Sequence, residues 1–340
     1  MKVLIIGGTG LISTSMTRQL LERGDEVTLY NRGQSEVRVP AGARTIHGDR
    51  KDFAAFEAQI AKAGRFDCVI DMICFLPEEA ESLARAVRGR TAQLIFCSTV
   101  DVFEKPAQRF PIPDDAPLGG TSKYGRDKAE CERILMAAHA RGDVPVTILR
   151  PAQTYGEGRD FIHVFGRGGG AWKRLRQGKP VIVHGDGSSL WVACHIDDVA
   201  RGFLGATGNT VTYGKGYNVT GEEWMTWDQY TERAAEGLGA PPPRIVHIPT
   251  DVLARALPRR AKIIAENFRF NNIFDTSNAR RDLGFRYTIP FVEGVRRNAA
   301  WLDERGIIDA SDGDPWQDRV IAAWEHLGER LDSDLDGVDD

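Results

Sequence analysis

KVLIIGGTGLIS (residues 2–13) opens as an apolar run, breaks on glycines and resumes as the start of a helical pattern. Gly7, Gly10 and Ser13 occupy the three spaced positions of a G-x-x-G-x-x-G loop, with serine at the last. Glycines at such a strand-to-helix turn let the main chain approach a pyrophosphate, whose charge the helix N-terminus favours. Thr9, Leu11 and Ile12 lie in the same turn and join it as candidate dinucleotide contacts. Ser13 adds two heavy atoms where the helix meets the strand, a departure the turn can tolerate.

Outward from this loop, short apolar runs alternate with amphipathic stretches. Strands are predicted at 3–6, 26–30, 44–47, 67–71, 93–97 and 146–150, and helices at 11–23, 52–63, 77–89 and 122–141. Alternation of this kind gives an α/β fold with a doubly wound, mainly parallel sheet. Ligands in such sheets bind beyond the carboxyl ends of the strands, which gathers residues 7–13, 31–32, 71–75 and 98–103 into one crevice. The texture changes after Pro151, where glycine, arginine and tryptophan become frequent. The expected organisation is a dinucleotide-binding domain at 1–150 and a smaller substrate-binding lobe at 151–330, some of whose segments pack back on the first. An acidic, disordered tail is expected at 331–340.

Bulk properties exclude several classes. The 340 residues are 42% hydrophobic and 27% charged with a net charge of -4, which gives no general attraction to DNA or anionic membranes. No apolar run is long enough to span a bilayer, and the N-terminus reads as a strand rather than a leader. Cys68, Cys74, Cys97, Cys131 and Cys194 lack metal-ligand or C-x-x-C spacing, so no metal site is expected and a reducing, cytoplasmic setting is.

At the end of the second strand a carboxylate would read a ribose 2′-hydroxyl. Asn31 and Arg32 stand there instead. Arg32 can pair with a 2′-phosphate, which leans the cofactor towards NADP, while Asn31 can equally bond the unphosphorylated ribose of NAD. Asp49 is placed to meet the adenine amino group, or to cap the helix at 52–63. Further on, Tyr124 and Lys128 are one helical turn apart and project from one face. A free tyrosine titrates near ~10, and a neighbouring ammonium favours its phenolate.

The glycine loop, the strand-end hydroxyls of CSTVDVF (97–103) and Tyr124-x-x-x-Lys128, in that order, resemble the extended short-chain dehydrogenase/reductase family of the NAD-dependent epimerase/dehydratase type. LRPAQTYGEG (149–158), VHGDGSSLWVACHIDDVA (183–200) and FDTSNARRDLGF (274–285) are similar to its later motifs, so the resemblance covers nearly the whole chain. It implies a Rossmann-type domain. Thr99 would bond the reacting hydroxyl, Tyr124 would remove its proton, and Lys128 would hold the nicotinamide ribose. Cys97 and Pro151 would lie along the cofactor, and Cys74, Phe103 and Gln153 along the substrate. A tightly held NAD or NADP and a homodimer are also implied.

Two departures shape the substrate expectation. Where sugar-nucleotide enzymes of this family commonly place a phosphate-binding arginine, the chain has Trp191, which can stack on a base or sugar face but cannot pair with pyrophosphate. Where the 4,6-dehydratases place an Asp-Glu pair, it has Val100 and Asp101, so Asp101 is a candidate base without the usual acid. The expected activity is transient oxidation of a sugar or nucleoside hydroxyl to a ketone, then epimerisation or water elimination, then hydride return. A simple NADP-dependent dehydrogenase is the alternative. So is an RNA-binding scaffold, because TLYNRG, HGDRKD and GDGSSLW resemble a branch with chloroplast stem-loop RNA-binding relatives; the net charge makes RNA the weaker expectation.

Overall fold

The computed structural model describes residues 1–34, 39–336 and 338. Six strands follow the predicted order: β1 (Lys2–Ile6), β2 (Glu26–Asn31), β3 (Arg44–His47), β4 (Cys68–Asp71), β5 (Leu94–Cys97) and β6 (Val146–Pro151). All pair in parallel, in spatial order β6-β5-β4-β1-β2-β3, and a seventh strand, Lys215–Val219, adds beside β6. Its core, YNV, lies in a stretch expected in the second lobe. Which sheet edge a late strand joins is a long-range choice that local pattern does not encode.

Burial explains the period. Along β1, Val3 and Ile5 enter one hydrophobic cluster while Leu4 and Ile6 enter the other, so both faces of the sheet are covered. Between the strands run α1 (Leu11–Glu22), α2 (Phe53–Ala63), α3 (Pro77–Val87) and α4 (Lys123–Ala140). Ser122 starts α4 by accepting from the Gly125 amide at 3.0 Å, a cap that stabilises a helix by ~1 kcal/mol. From β1 the winding proceeds to β2 and β3 on one side and to β4, β5 and β6 on the other. The crevice at the carboxyl ends of β1 and β4 is the switch point where such folds bind ligands.

The chain divides into two compact units, Met1–Gly156 with Val192–Trp224 and Asn272–Pro290, and Glu157–Trp191 with Met225–Asn271 and Phe291–Asp340. The second unit pairs Val181–His184 with Ile245–Ile248 in parallel and packs an aromatic core around Trp172, Trp191, Trp227 and Phe268. Its last helix runs Trp316–Asp334, so the first four residues of the expected tail at 331–340 are helical, and Gly337, Asp339 and Asp340 lie outside the described residues. No helix among the described residues is long and apolar enough to cross a membrane.

Candidate active site

The glycine loop builds a cradle. Gly7 has a φ of +87°, and a Cβ there would stand 2.4 Å from Ile73 Cγ2. Ser13, at the third loop position, donates its hydroxyl to the Gly7 carbonyl at 2.8 Å, so the serine ties the turn together. Gly10 begins α1 with no side-chain cap and no acidic residue in the first turn, which leaves the positive helix end to an anion. Thr9 and Gly10 line a cavity of about 380 Å³ with Asn31, Arg32, Asp49, Arg50, Ile73, Phe75 and Glu79. Small-molecule sites occupy ~300–1,000 Å³.

Asn31 supplies a direct test of fit. Its Oδ1 accepts from the Gly33 amide at 2.7 Å, while its Nδ2 is buried with no partner. Buried donors are normally satisfied, and a ribose hydroxyl or phosphate oxygen is the kind of group that would satisfy this one. The cradle and this orphan donor together fit a dinucleotide. Asp49 is exposed on the cavity wall with Oδ1 on the Lys51 amide at 2.9 Å. Asp52, not Asp49, caps α2, accepting from Ala55 N at 3.1 Å. Arg32 is exposed and also lines the cavity.

Thr99 follows β5, and its Oγ1 accepts from the Asp101 amide at 3.2 Å, opening a short 3-10 turn at Val100–Val102. Tyr124 stands on the first turn of α4, 42% exposed, with Thr99 and Asp101 near enough to its phenol to act on its charge. Crowding around the phenol raises its pKa, and the charges of Asp101 and Cys97 raise it further. The Thr99 hydroxyl, able to donate to the phenolate, opposes them.

Lys128 is 1% exposed and donates to the carbonyls of Cys74 at 2.8 Å and Cys97 at 2.6 Å. Its ammonium also lies 4.1 Å from the centroid of Phe96 and 5.4 Å from that of Phe75. Lys128 thus spends two of its three donors on strand-end carbonyls.

Asp101 has a side chain that is 29% exposed, with Oδ1 3.7 Å from Lys105 Nζ. Lys105 is buried and donates to Asn272 Oδ1 at 2.5 Å. Sequence reasoning missed Lys105, although its i+4 spacing from Asp101 was a visible signal. It also missed Phe75, which lines the cavity 6.4 Å from the Tyr124 ring, and the buried Arg50.

Other candidates serve the core. Phe103 is 0% exposed and stacks on Phe274 at 6.1 Å, so it is not an open substrate contact. The Cys74 thiol is buried, and the neighbouring Cys131 thiol together with burial holds its pKa well above the usual thiol value; its carbonyl receives Lys128. Trp191 is 5% exposed, packed against Trp227 at 5.0 Å and Phe268 at 4.8 Å, so it builds the second unit's core rather than offering a stacking face. Pro151 ends β6, and Gln153 is half-buried in the strand Gln153–Tyr155, its amide on Thr154 O at 3.1 Å. Cys97 contributes its carbonyl to Lys128. Among the described residues no cluster of three or more His, Cys, Asp or Glu side chains could hold a metal.

Comparison with known proteins agrees with this geometry. The profile of the NAD dependent epimerase/dehydratase family matches residues 3–220. A chloroplast stem-loop binding protein of 41 kDa from Arabidopsis thaliana is 28% identical, covering 86% of this chain and 77% of its own. The 2′-dehydrokanamycin reductase of Streptomyces kanamyceticus is 26% identical, covering 81% and 77%. UDP-glucose 4-epimerase of Thermotoga maritima shares the fold with a TM-score of 0.73 at 22% identity, over 90% of this chain and 99% of that one.

Proposed function

Because the chain belongs to the NAD-dependent epimerase/dehydratase family, we propose that it oxidises a sugar or nucleoside hydroxyl transiently and then epimerises or dehydrates the product. The observation that carries this reading is the convergence of Thr99, Asp101 and Tyr124 beside a cavity fitted for a dinucleotide. The nicotinamide, when bound, accepts a hydride and returns it. Gly7, Gly10 and Asn31 would hold the cofactor, with Lys128 at its ribose. Thr99 orients the substrate hydroxyl and Tyr124 takes its proton. A positive nicotinamide ring would offset the burial and the Asp101 charge that otherwise oppose ionisation of the phenol. Once a ketone stands beside a carbon-bound proton, that proton is acidified, and the half-exposed Asp101 carboxylate can remove it.

Arg32 on the cavity wall supports a lean towards NADP, and cofactor return within one turnover supports tight binding. A homodimer in the cytoplasm is part of the same reading, as are the second unit's role in holding substrate and the absence of a nucleic-acid role. A net reductase is the second reading, favoured by the likeness to 2′-dehydrokanamycin reductase. Nucleoside and nucleotide-sugar panels, incubated with and without added NAD(P)H, separate the two. Product without added cofactor supports transient oxidation; strict stoichiometric consumption would reject it. Tyr124→Phe should lower turnover by ~10²–10⁴, the range for lost acid–base catalysis, and full activity in that variant would end the assignment of Tyr124.

A further inference from the structure

The loop from Asp71 to Glu79 joins the dinucleotide cavity to the catalytic pair, and a carboxylate holds it at each end. Asp71 Oδ1 accepts from the Ile73 amide at 2.8 Å. Glu79 Oε2 accepts from the Phe75 amide at 2.6 Å and the Leu76 amide at 3.1 Å. Both ends meet at one buried guanidinium: Arg50 donates through Nη1 to Asp71 Oδ2 at 2.7 Å and through Nη2 to the Glu79 carbonyl at 2.8 Å. Arg50 is 4% exposed, lines the cavity and has a buried Nε without a partner.

What the loop carries explains why it should be held. Ile73 is the residue against which Gly7 closes, the Cys74 carbonyl receives Lys128, and the Phe75 ring faces Tyr124 and Lys128. Loops usually move more than the strands they follow. Here a shift of this loop would displace the glycine cradle and the Lys128 anchor together, and misplacement of ~1 Å can cost ~10²-fold in rate.

We propose that Arg50 is a positioning residue that clamps residues 72–76, so that the pyrophosphate cradle and the Tyr124–Lys128 pair hold one geometry. The inference rests on the proposed dinucleotide chemistry and assigns Arg50 no contact with the reacting atoms. A guanidinium is suited to the task because its planar fork serves a carboxylate and a carbonyl at once.

Amide hydrogen exchange in the unliganded protein tests the clamp without any substrate. In Arg50→Met, and in Arg50→Lys should the first variant not fold, the amides of Ile73, Phe75 and Leu76 should exchange roughly tenfold faster or more, the factor carried by one charge-assisted hydrogen bond, since an ammonium lacks the fork that serves carboxylate and carbonyl together. Amides in the middle of β1 and α4 should change far less. In the same variants NADH affinity, read by fluorescence, should fall roughly tenfold. Unchanged exchange at the three amides in folded variants would overturn the clamp. Wild-type protein that binds neither NADH nor NADPH would defeat the functional reading and this inference with it, whereas wild-type binding with unaltered variants defeats the inference alone.

Discussion

The loops that leave β4 and β5 each set a carboxylate beside a buried cation, and they differ in how far the pair is sealed. After β4, the side chains of Asp71 and Arg50 are 0% and 3% exposed, in contact at 2.7 Å. After β5, the Lys105 side chain is 2% exposed but that of Asp101 is 29% exposed, and they stand 3.7 Å apart. A sealed pair can hold backbone in place but cannot exchange protons with a substrate. A half-open pair leaves its carboxylate partly exposed to solvent. On the proposed function, two neighbouring strand ends divide the work between holding and reacting.

The largest effect expected from this contrast is on stability. Arg50→Met strands the Asp71 charge in the core, and breaking a buried pair on one side costs ~3–5 kcal/mol. Asp71→Asn should cost a similar amount, and the double variant less than the sum of the two. Urea denaturation at neutral pH measures all three. A loss below ~1 kcal/mol in Arg50→Met would mean that the β4 pair is not sealed.

Next in size is Asp101→Asn. Losing a general base typically lowers turnover by ~10²–10⁴, or roughly 3–5 kcal/mol in the barrier, and here the loss should fall on kcat with NADH affinity nearly unchanged. A variant with weakened cofactor binding and an intact kcat would place Asp101 with the holding groups and break the comparison.

The two loops were unequally legible in the amino-acid order. Strands β1 to β6 and helices α1 to α4 were readable because their patterns are local, as were the glycine loop and the one-turn Tyr124–Lys128 spacing. Arg50 was passed over in HGDRKD because its partners lie 21 and 29 positions away, beyond any local pattern. Lys105 gains its Asn272 partner across 167 positions. Sequence likeness put Phe103 along the substrate, and Trp191 could be read as a stacking face or as core; large rings with apolar neighbours fill cores, and only the packing decides which ring stays open. Phe75 is the ring left 44% exposed beside the site.

The smallest expected effect separates the two cations by their chemistry. Arg50 stays charged at every accessible pH, whereas Lys105 can titrate. Burial pulls the Lys105 ammonium below its ordinary pKa, although Asp101 pulls the other way. The unfolded chain would keep its proton up to about pH 10.4 while the folded chain releases it earlier. Between those points the unfolded state binds more protons, so this group's contribution to stability rises with pH. Lys105→Met removes that slope. Because Asp101 remains open to water, the variant should cost only ~0–1 kcal/mol at neutral pH, well short of the Arg50 variant. Stability of wild type minus Lys105→Met, followed by urea denaturation from pH ~8 to ~10.5, should climb. A flat or falling difference would show that Lys105 is buried without cost, and the distinction between a fixed and a titratable cation behind the two loops would be lost.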